Sequence, residues 1–591
     1  MERRWTSARW AVLVASALAL AACGSAPVHS RQSDAISRPF ERGRAQAPVT
    51  SLPDVAAATW NSCSDQDAPW ECAIIRVPLD YRHPATSNSV SIALTRLPAT
   101  DHTGRIGSLV LNPGGPGGSG VELAWELAPE LPPSMTRRFD IVGFDPRGIG
   151  RSSAIDCDGS YSAGAFSGCH HDSDALLPYV GTPNVARDLE MIRRSLGDPQ
   201  LTYLGFSYGT ALGAAYADMF PASVRALVLD GATDPAAGKY NVDGTTLPGS
   251  SGRPFYGVQD FNATESEFIE LCDASRSCAA GPDARAVLQT VRDKVENDSV
   301  RYFTDWGDQV TGSDVDDVIS AAMYNVDLWT PLAVALRDAA RGDASTMAAM
   351  ANFLRVGYPA HRDRFDNQAQ ANLAVFCADF AGRTGAFGVG GCGSAPETAE
   401  PLQPVTSAAT TTPILVIGTD GDPATPAFQA PKMAAALGNA VSIRWEGAGH
   451  TAFLNSPCID DLVVAYLVDL TVPNNRQRCT FAAGSNTVAG RAEAVFGWAP
   501  ARTPAAARRT DRLVGVFTAE GSSDARAACL AAGIVDRGPA AIVTYARLGA
   551  AAGVRVPPAS PGGDLPRLTR AEPSAQDVIF TGMAPAAVVP E

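Results

Sequence analysis

The stretch Leu201–Phe220, LTYLGFSYGTALGAAYADMF, constrains this chain more than any other. It opens with a β-rich run, Leu201-Thr202-Tyr203-Leu204. It then turns through Gly205-Phe206-Ser207-Tyr208-Gly209 and continues in small, helix-compatible residues. A G-x-S-x-G turn between a strand and a helix lifts the serine hydroxyl above a sheet edge and aims the next backbone N–H at the same point. The turn is strained, so a Cβ on either flanking residue would meet the neighbouring strand or helix. Ser207 is therefore the candidate nucleophile and the Tyr208 N–H a candidate oxyanion donor.

Strands alternate with helices around this turn. Ser108–Leu111 runs into Asn112–Gly120, NPGGPGGSG, where so much glycine after a strand suggests backbone amides offered to a ligand. A helix over Val121–Leu127 is predicted next. The strand Arg138–Phe144 ends in Asp145–Ser152, DPRGIGRS, and Val224–Leu229 reads as another buried strand. From Pro235 to Leu373 the rhythm changes to acidic helical stretches, namely Ala263–Cys272, Pro282–Glu296, Val315–Tyr324 and Trp329–Leu354. Strands return at Pro413–Gly418 and Ala440–Trp445, and a helix at Ile459–Leu470 closes the pattern. Alternation of this kind predicts an α/β fold, a mostly parallel sheet with helices on both faces. Residues 236–375 are expected to form an inserted helical cap between core segments 58–235 and 376–479. The Ala/Arg/Pro-rich extension 480–591 has no predicted fold and no identifiable chemistry.

The N-terminus reads as a targeting segment. Arg3, Arg4 and Arg9 precede an apolar run, Ala11–Ala22, that is too short to span a bilayer. Residues 1–22 are thus expected to be a signal peptide. Leu20-Ala21-Ala22-Cys23 resembles a bacterial lipobox, making Cys23 the expected lipidation site, with 23–57 a flexible tether to the membrane; the alternative is an ordinary signal peptide cut at an A-x-A-like site, which leaves Cys23 incidental and the protein secreted. Of the 12 cysteines, ten more lie before residue 480: Cys63, Cys72, Cys157, Cys169, Cys272, Cys278, Cys377, Cys392, Cys458 and Cys479. Cys529 stands alone beyond them. An even set in an exported domain predicts a disulfide framework, and sequential pairing is the simplest guess. A net charge of −15 gives nucleic acid no reason to bind. No metal site and no cofactor are expected, and oligomeric state is not legible.

A serine nucleophile needs a base, and the base needs an orienting carboxylate. On this scaffold the chain order is Ser, then Asp or Glu, then His, with the last two on loops leaving later strands. After the strand ending at Gly418 comes Thr419-Asp420-Gly421-Asp422-Pro423-Ala424-Thr425-Pro426; after Trp445 comes Glu446-Gly447-Ala448-Gly449-His450. His450 is the candidate base. Either Asp420 or Asp422 could orient it. Asp422 is preferred, because Asp-Pro-x-Thr-Pro makes a rigid turn with a hydroxyl three residues on. His83, His102, His361 and the His170-His171 pair lack this setting and read as surface residues.

Three sets of residues together resemble the exported serine aminopeptidases of the tripeptidyl aminopeptidase type, relatives of the prolyl aminopeptidases. They are NPGGPGGSG at Asn112–Gly120, DPRGIGRS at Asp145–Ser152 with GFSYG at Gly205–Gly209, and DPATP at Asp422–Pro426 with Gly449-His450. The resemblance spans about Trp60 to Cys479 and implies an α/β-hydrolase fold with a helical cap over the site. It implies Ser207 as nucleophile, Asp422 as orienter, His450 as general base, and the N–H groups of Gly115 and Tyr208 as oxyanion donors. Where relatives carry His-Gly-Gly-Pro-Gly, this chain has Pro113 in place of the histidine. The segment Ala374–Asp379 also looks like a family segment, and Asp379 is a candidate for holding a substrate amine. The implied substrates are peptide or protein N-termini. A carboxylesterase or lipase on the same scaffold is the alternative, since acyl-enzyme chemistry serves amides and esters alike.

Overall fold

The computed structural model describes residues 52–496, apart from 65–68, 158–165, 167, 234–260, 297–309, 345, 349, 352–366, 380–391, 393–394, 404, 406 and 482–486. The expected signal peptide, Cys23 and nearly all of the tether lie outside the described residues, as do Cys529 and everything beyond residue 496.

Ten strands among the described residues form a single sheet. They are β1 (Asn61–Ser62), β2 (Glu71–Pro78), β3 (Ser89–Leu97), β4 (Gly107–Asn112), β5 (Phe139–Phe144), β6 (Leu201–Phe206), β7 (Val224–Asp230), β8 (Ile414–Gly421), β9 (Ala440–Ala448) and β10 (Arg478–Thr480). Their order is β1-β2-β3-β5-β4-β6-β7-β8-β9-β10. The first three pairings, through β3 with β5, are antiparallel, and all later ones are parallel. The central strands β4, β5 and β6 are buried along their whole length, as strands covered on both faces must be.

Side chains alternate across this sheet. Leu109, Leu111, Leu204, Phe206, Val228, Leu415 and Ile417 pack with Tyr466 and Leu467 of the helix Pro457–Asp469. Tyr203 and Leu229 point the opposite way. They meet the helix Tyr208–Met219 so closely that a Cβ on Gly213 would lie 2.6 Å from the Leu229 side chain. Both faces are thus covered, and the sheet's carboxyl ends stay available for loops.

Between β7 and β8 the chain forms helices at Phe261–Ala274, Ala284–Glu296, Gly312–Tyr324 and Trp329–Arg341. They share an apolar core around Trp329, which is fully buried, with Phe268 packed edge-on at 5.6 Å. Thr311 and Asp314 form a reciprocal capping box that starts the third helix. The fourth is shorter than the expected Trp329–Leu354, because Gly342 at φ 106° ends it in the left-handed conformation. The beginning of the C-terminal extension also differs from expectation. Its residues Val488–Phe496 are helical and insert Ala492, Val495 and Phe496 into the core of the cap, with Arg491 bound to Glu267 at 2.6 Å.

Five cystines join each described cysteine to its next in sequence: Cys63–Cys72, Cys157–Cys169, Cys272–Cys278, Cys377–Cys392 and Cys458–Cys479. No helix among the described residues is long and apolar enough to cross a membrane.

Candidate active site

The turn between β6 and its helix holds Ser207 at φ 55° and ψ −123°. A non-glycine residue in that region costs on the order of 1–3 kcal/mol and needs its surroundings to enforce it. Close packing supplies the enforcement. A Cβ on Gly205 would lie 2.6 Å from the Gly209 carbonyl oxygen, and one on Gly209 would lie 2.7 Å from Asn112 Oδ1. Tyr203 OH donates to the Gly209 carbonyl at 2.8 Å and closes the turn from beneath. Tyr208, as first residue of the helix, has an N–H with no acceptor inside it.

The glycine-rich loop after β4 lies directly on this turn. A Cβ on Gly114 would sit 2.4 Å from the Phe206 carbonyl and 2.9 Å from the Tyr208 nitrogen. Asn112 Oδ1 accepts the Gly114 N–H at 3.0 Å and so bends the loop at its start. Gly115, the next residue, is exposed. Ser119 caps the following helix, accepting from Glu122 N at 3.1 Å, and donates its hydroxyl to Asp145. Asp145 also accepts from Val121 N at 3.2 Å and Arg151 N at 2.8 Å. The NPGGPGGSG and DPRGIGRS motifs are therefore two halves of one structure, joined by a buried carboxylate.

On the other side of the sheet edge, His450 Nδ1 lies 2.9 Å from both oxygens of Asp422. Asp422 has no exposed side-chain surface and His450 has 14%. The carboxylate accepts further bonds from Ala424 N at 2.9 Å, Thr425 N at 2.7 Å and Thr425 Oγ1 at 2.9 Å. Burial alone would raise the Asp422 pKa, but the charge and hydrogen bond of His450 and the bonds from Thr425 outweigh it and hold it below the usual range. For His450, burial works to lower the pKa. The charge and hydrogen bond of Asp422, with Asp230 behind it, reverse that and give a net rise. Asp420 is placed elsewhere: β8 continues through it to Gly421, and its side chain pairs with Arg444 of β9. β9 likewise runs on to Ala448, which leaves Gly449 as the only residue between strand and histidine.

Ser207 and His450 abut the same strand end. The Ser207 N–H donates to the Asp230 carbonyl at 2.9 Å. A Cβ on the next residue, Gly231, would lie 3.3 Å from His450 Cε1. The cap touches the histidine directly. Tyr324, the last residue of its helix, accepts the His450 N–H on its carbonyl at 2.8 Å and sets its ring edge-on to the imidazole at 5.3 Å. Tyr324 as a whole is 38% exposed.

Asp379 lies beneath the serine turn. It ends the helix Gln368–Asp379, is buried, and has both oxygens bonded to Thr182, to the N–H at 2.7 Å and to the hydroxyl at 2.6 Å. Thr182 begins the helix Thr182–Ser195, whose N-cap Gly181 has no side chain to offer, so Asp379 supplies the missing cap. The Thr182 hydroxyl also bonds the phenol of Tyr208. The carboxylate thus faces a helix start and the back of the serine turn.

Sequence reasoning missed Tyr324 and Asp230. Tyr324 gave no signal, since an aromatic at a helix end is ordinary. Asp230 did give one: a lone carboxylate closes the apolar run Ala226–Leu229 at a strand's carboxyl end, where the sites of parallel sheets form.

Fold and site together define an α/β-hydrolase. Residues 107–246 match a family described as an alpha/beta hydrolase fold, and residues 378–479 match one described as TAP-like protein. The chain is 30% identical over 548 residues to the serine protease Hip1 of Mycobacterium tuberculosis, covering 80% of this chain and 97% of that relative. It is 31% identical over 514 residues to carboxylesterase B of the same species, covering 74% and 93% respectively. With the tripeptidyl aminopeptidase of Streptomyces lividans it shares 33% identity over 277 residues, 40% of this chain and 51% of the relative. The chain belongs to the tripeptidyl aminopeptidase-type serine peptidases of the α/β-hydrolase superfamily. Its cystines suit an extracytoplasmic setting.

Proposed function

We propose that the chain is a serine aminopeptidase that releases short peptides from the N-termini of its substrates. Ser207 is the nucleophile, His450 the general base and Asp422 the carboxylate that orients it. The N–H groups of Gly115 and Tyr208 receive the oxyanion. The observation that carries this reading is the His450–Asp422 pair, at 2.9 Å, set against the strand end whose carbonyl holds the Ser207 amide.

Ser207 Oγ attacks the scissile carbonyl carbon while its proton passes to His450 Nε2. The C–N bond then breaks, and the same proton goes to the leaving amine. Water, deprotonated by His450, cleaves the acyl ester and restores the hydroxyl. Asp422 stays ionised throughout and stabilises the imidazolium. The restriction to N-termini draws its support from the TAP-like match over residues 378–479. Likeness to carboxylesterase B supports a second reading, an esterase on the same residues.

Paired tripeptide anilides, one with a free and one with an acetylated amino group, separate the two. An aminopeptidase cleaves only the free one, whereas equal rates mean that no amine is recognised. Rapid fluorophosphonate labelling, lost in Ser207→Ala, is expected for either, and an unlabelled wild type overturns both.

The same proposal takes residues 1–22 as a signal peptide, Cys23 as the lipidated residue, 23–57 as tether, 58–235 and 376–479 as core, 236–375 as cap and 480–591 as extension. Incorporation of labelled fatty acid that persists in Cys23→Ser would remove the anchor from it.

A further inference from the structure

Asp230 ends β7 as a fully buried carboxylate, and such a group is costly unless hydrogen bonds compensate it. Its main chain and its side chain serve opposite halves of the site. The carbonyl accepts the Ser207 N–H at 2.9 Å. The carboxylate turns the other way, accepting the Ala452 N–H at 3.0 and 3.1 Å on its two oxygens and the Phe453 N–H at 2.8 Å on Oδ2. Gly231 is the spacer: a Cβ there would come within 3.0 Å of Thr425 Oγ1 and of the Thr451 methyl, and 3.3 Å of His450 Cε1.

The backbone between His450 and Ala452 shows what those bonds hold in place. Thr451 has φ 73°, a left-handed conformation that a β-branched residue adopts only where its surroundings impose it. The next two amides are those bound by Asp230. Freed of them, Thr451 can relax toward negative φ and carry the adjacent imidazole with it.

The geometry points to Asp230 as a positioning residue for the hydrolysis: its carboxylate clamps the His450 loop to the strand end that also carries the Ser207 turn, and so sets the distance between base and nucleophile. This rests on the reading of Ser207 and His450 as nucleophile and base. Asp230 itself touches neither substrate nor reacting atoms. A misplacement of ~1 Å at a base can cost ~10²-fold in rate, and that is the scale expected here.

The test measures kcat, KM and the rate of fluorophosphonate labelling for wild type, Asp230→Ala and Asp230→Asn, with Tm recorded alongside. Asp230→Ala is expected to lose roughly 10²-fold in kcat and in labelling rate, with KM within about threefold. Asp230→Asn keeps one oxygen for the two amides but sets an NH2 against the Ala452 N–H where the other oxygen stood, and is expected to recover about tenfold of that loss. A folded Asp230→Ala enzyme that keeps kcat and labelling within about threefold, whatever its Tm, overturns the inference. If the alanine variant does not fold, the asparagine variant decides, and activity within about threefold of wild type is then the overturning result. Failure of wild-type labelling would instead sink the assignment of Ser207 and leave a different signature.

Discussion

Ser207 and His450 stand on turns built from different materials. The serine turn is enforced by backbone and small residues packed at contact: Gly205 against the Gly209 carbonyl, Gly209 against Asn112, and Gly114 against Phe206. The histidine turn is enforced by carboxylates from other parts of the chain, with Asp422 on the ring and Asp230 on the following amides. Steric enforcement has no tolerance for an added methyl group. Side-chain enforcement can be removed without filling space that was already full. The first half should therefore break by failing to pack, and the second by losing function while still folded.

The largest effect tests the second half. Asp422→Asn preserves volume but presents an amide that favours the wrong imidazole tautomer, and a drop of roughly 10⁴ in kcat is expected. Its far-UV spectrum and disulfide content should match those of wild type. A variant with kcat within about tenfold of wild type would mean that Asp422 does not orient the base. The matching test of the first half is Gly114→Ala. The new Cβ would fall 2.4 Å from a carbonyl at a residue with φ 86°, so the loop must shift. If Gly115 contributes an oxyanion donor, kcat should fall by on the order of 10²–10³, and here Tm should fall with it. Unchanged Tm and kcat in Gly114→Ala would erase the distinction between the two halves.

A smaller effect concerns pH. His450 accepts a proton only when neutral, and its pKa is displaced upward, with the Asp422 charge overcoming the effect of burial. Activity should thus rise with pH through a limb lying above about 6.5, the ordinary imidazole value. In Asp422→Asn the residual activity should show that limb moved to lower pH. A flat kcat/KM between about pH 4 and 8 would contradict general-base catalysis by this residue.

The contrast also accounts for what could be read from the sequence. Steric enforcement writes itself as glycine at fixed offsets, so GFSYG, NPGGPGGSG and DPRGIGRS were visible as motifs, and the strand–turn–helix context fixed the fold around them. Asp422 was legible for a related reason, since its Pro-x-Thr-Pro turn is local. Asp230, Asp145 and Tyr324 act across 222, 26 and 126 residues of chain respectively, so even where a strand end or a motif marked the residue, nothing local named its partner. Two departures from expectation in the helices have the same root. Gly342 stops a helix by conformation, and Val488–Phe496 packs onto a cap that begins more than two hundred residues earlier.

The smallest effect separates a carboxylate that serves the fold from one that would serve the substrate. Burial pushes the Asp379 pKa up to about 7, against the lowering effect of its bonds from Thr182. The unfolded value is near 3.9, so the folded state holds the proton more tightly. That contribution to stability is complete below about pH 4 and is lost as pH rises toward 7, so it lowers wild-type Tm across this range. Asp379→Asn resembles the protonated acid: its carbonyl can still accept from Thr182 N, its amide can donate to the Thr182 hydroxyl, and that hydroxyl can donate to Tyr208. Its Tm should match wild type near pH 4 and exceed it at pH 8, in thermal scans at constant ionic strength. Blocked esters and free peptides should be affected alike, because the group behind Tyr208 influences the shared machinery and not the amine. A selective loss on free peptides, with the pH dependence of Tm unchanged, would return Asp379 to the substrate side of the comparison.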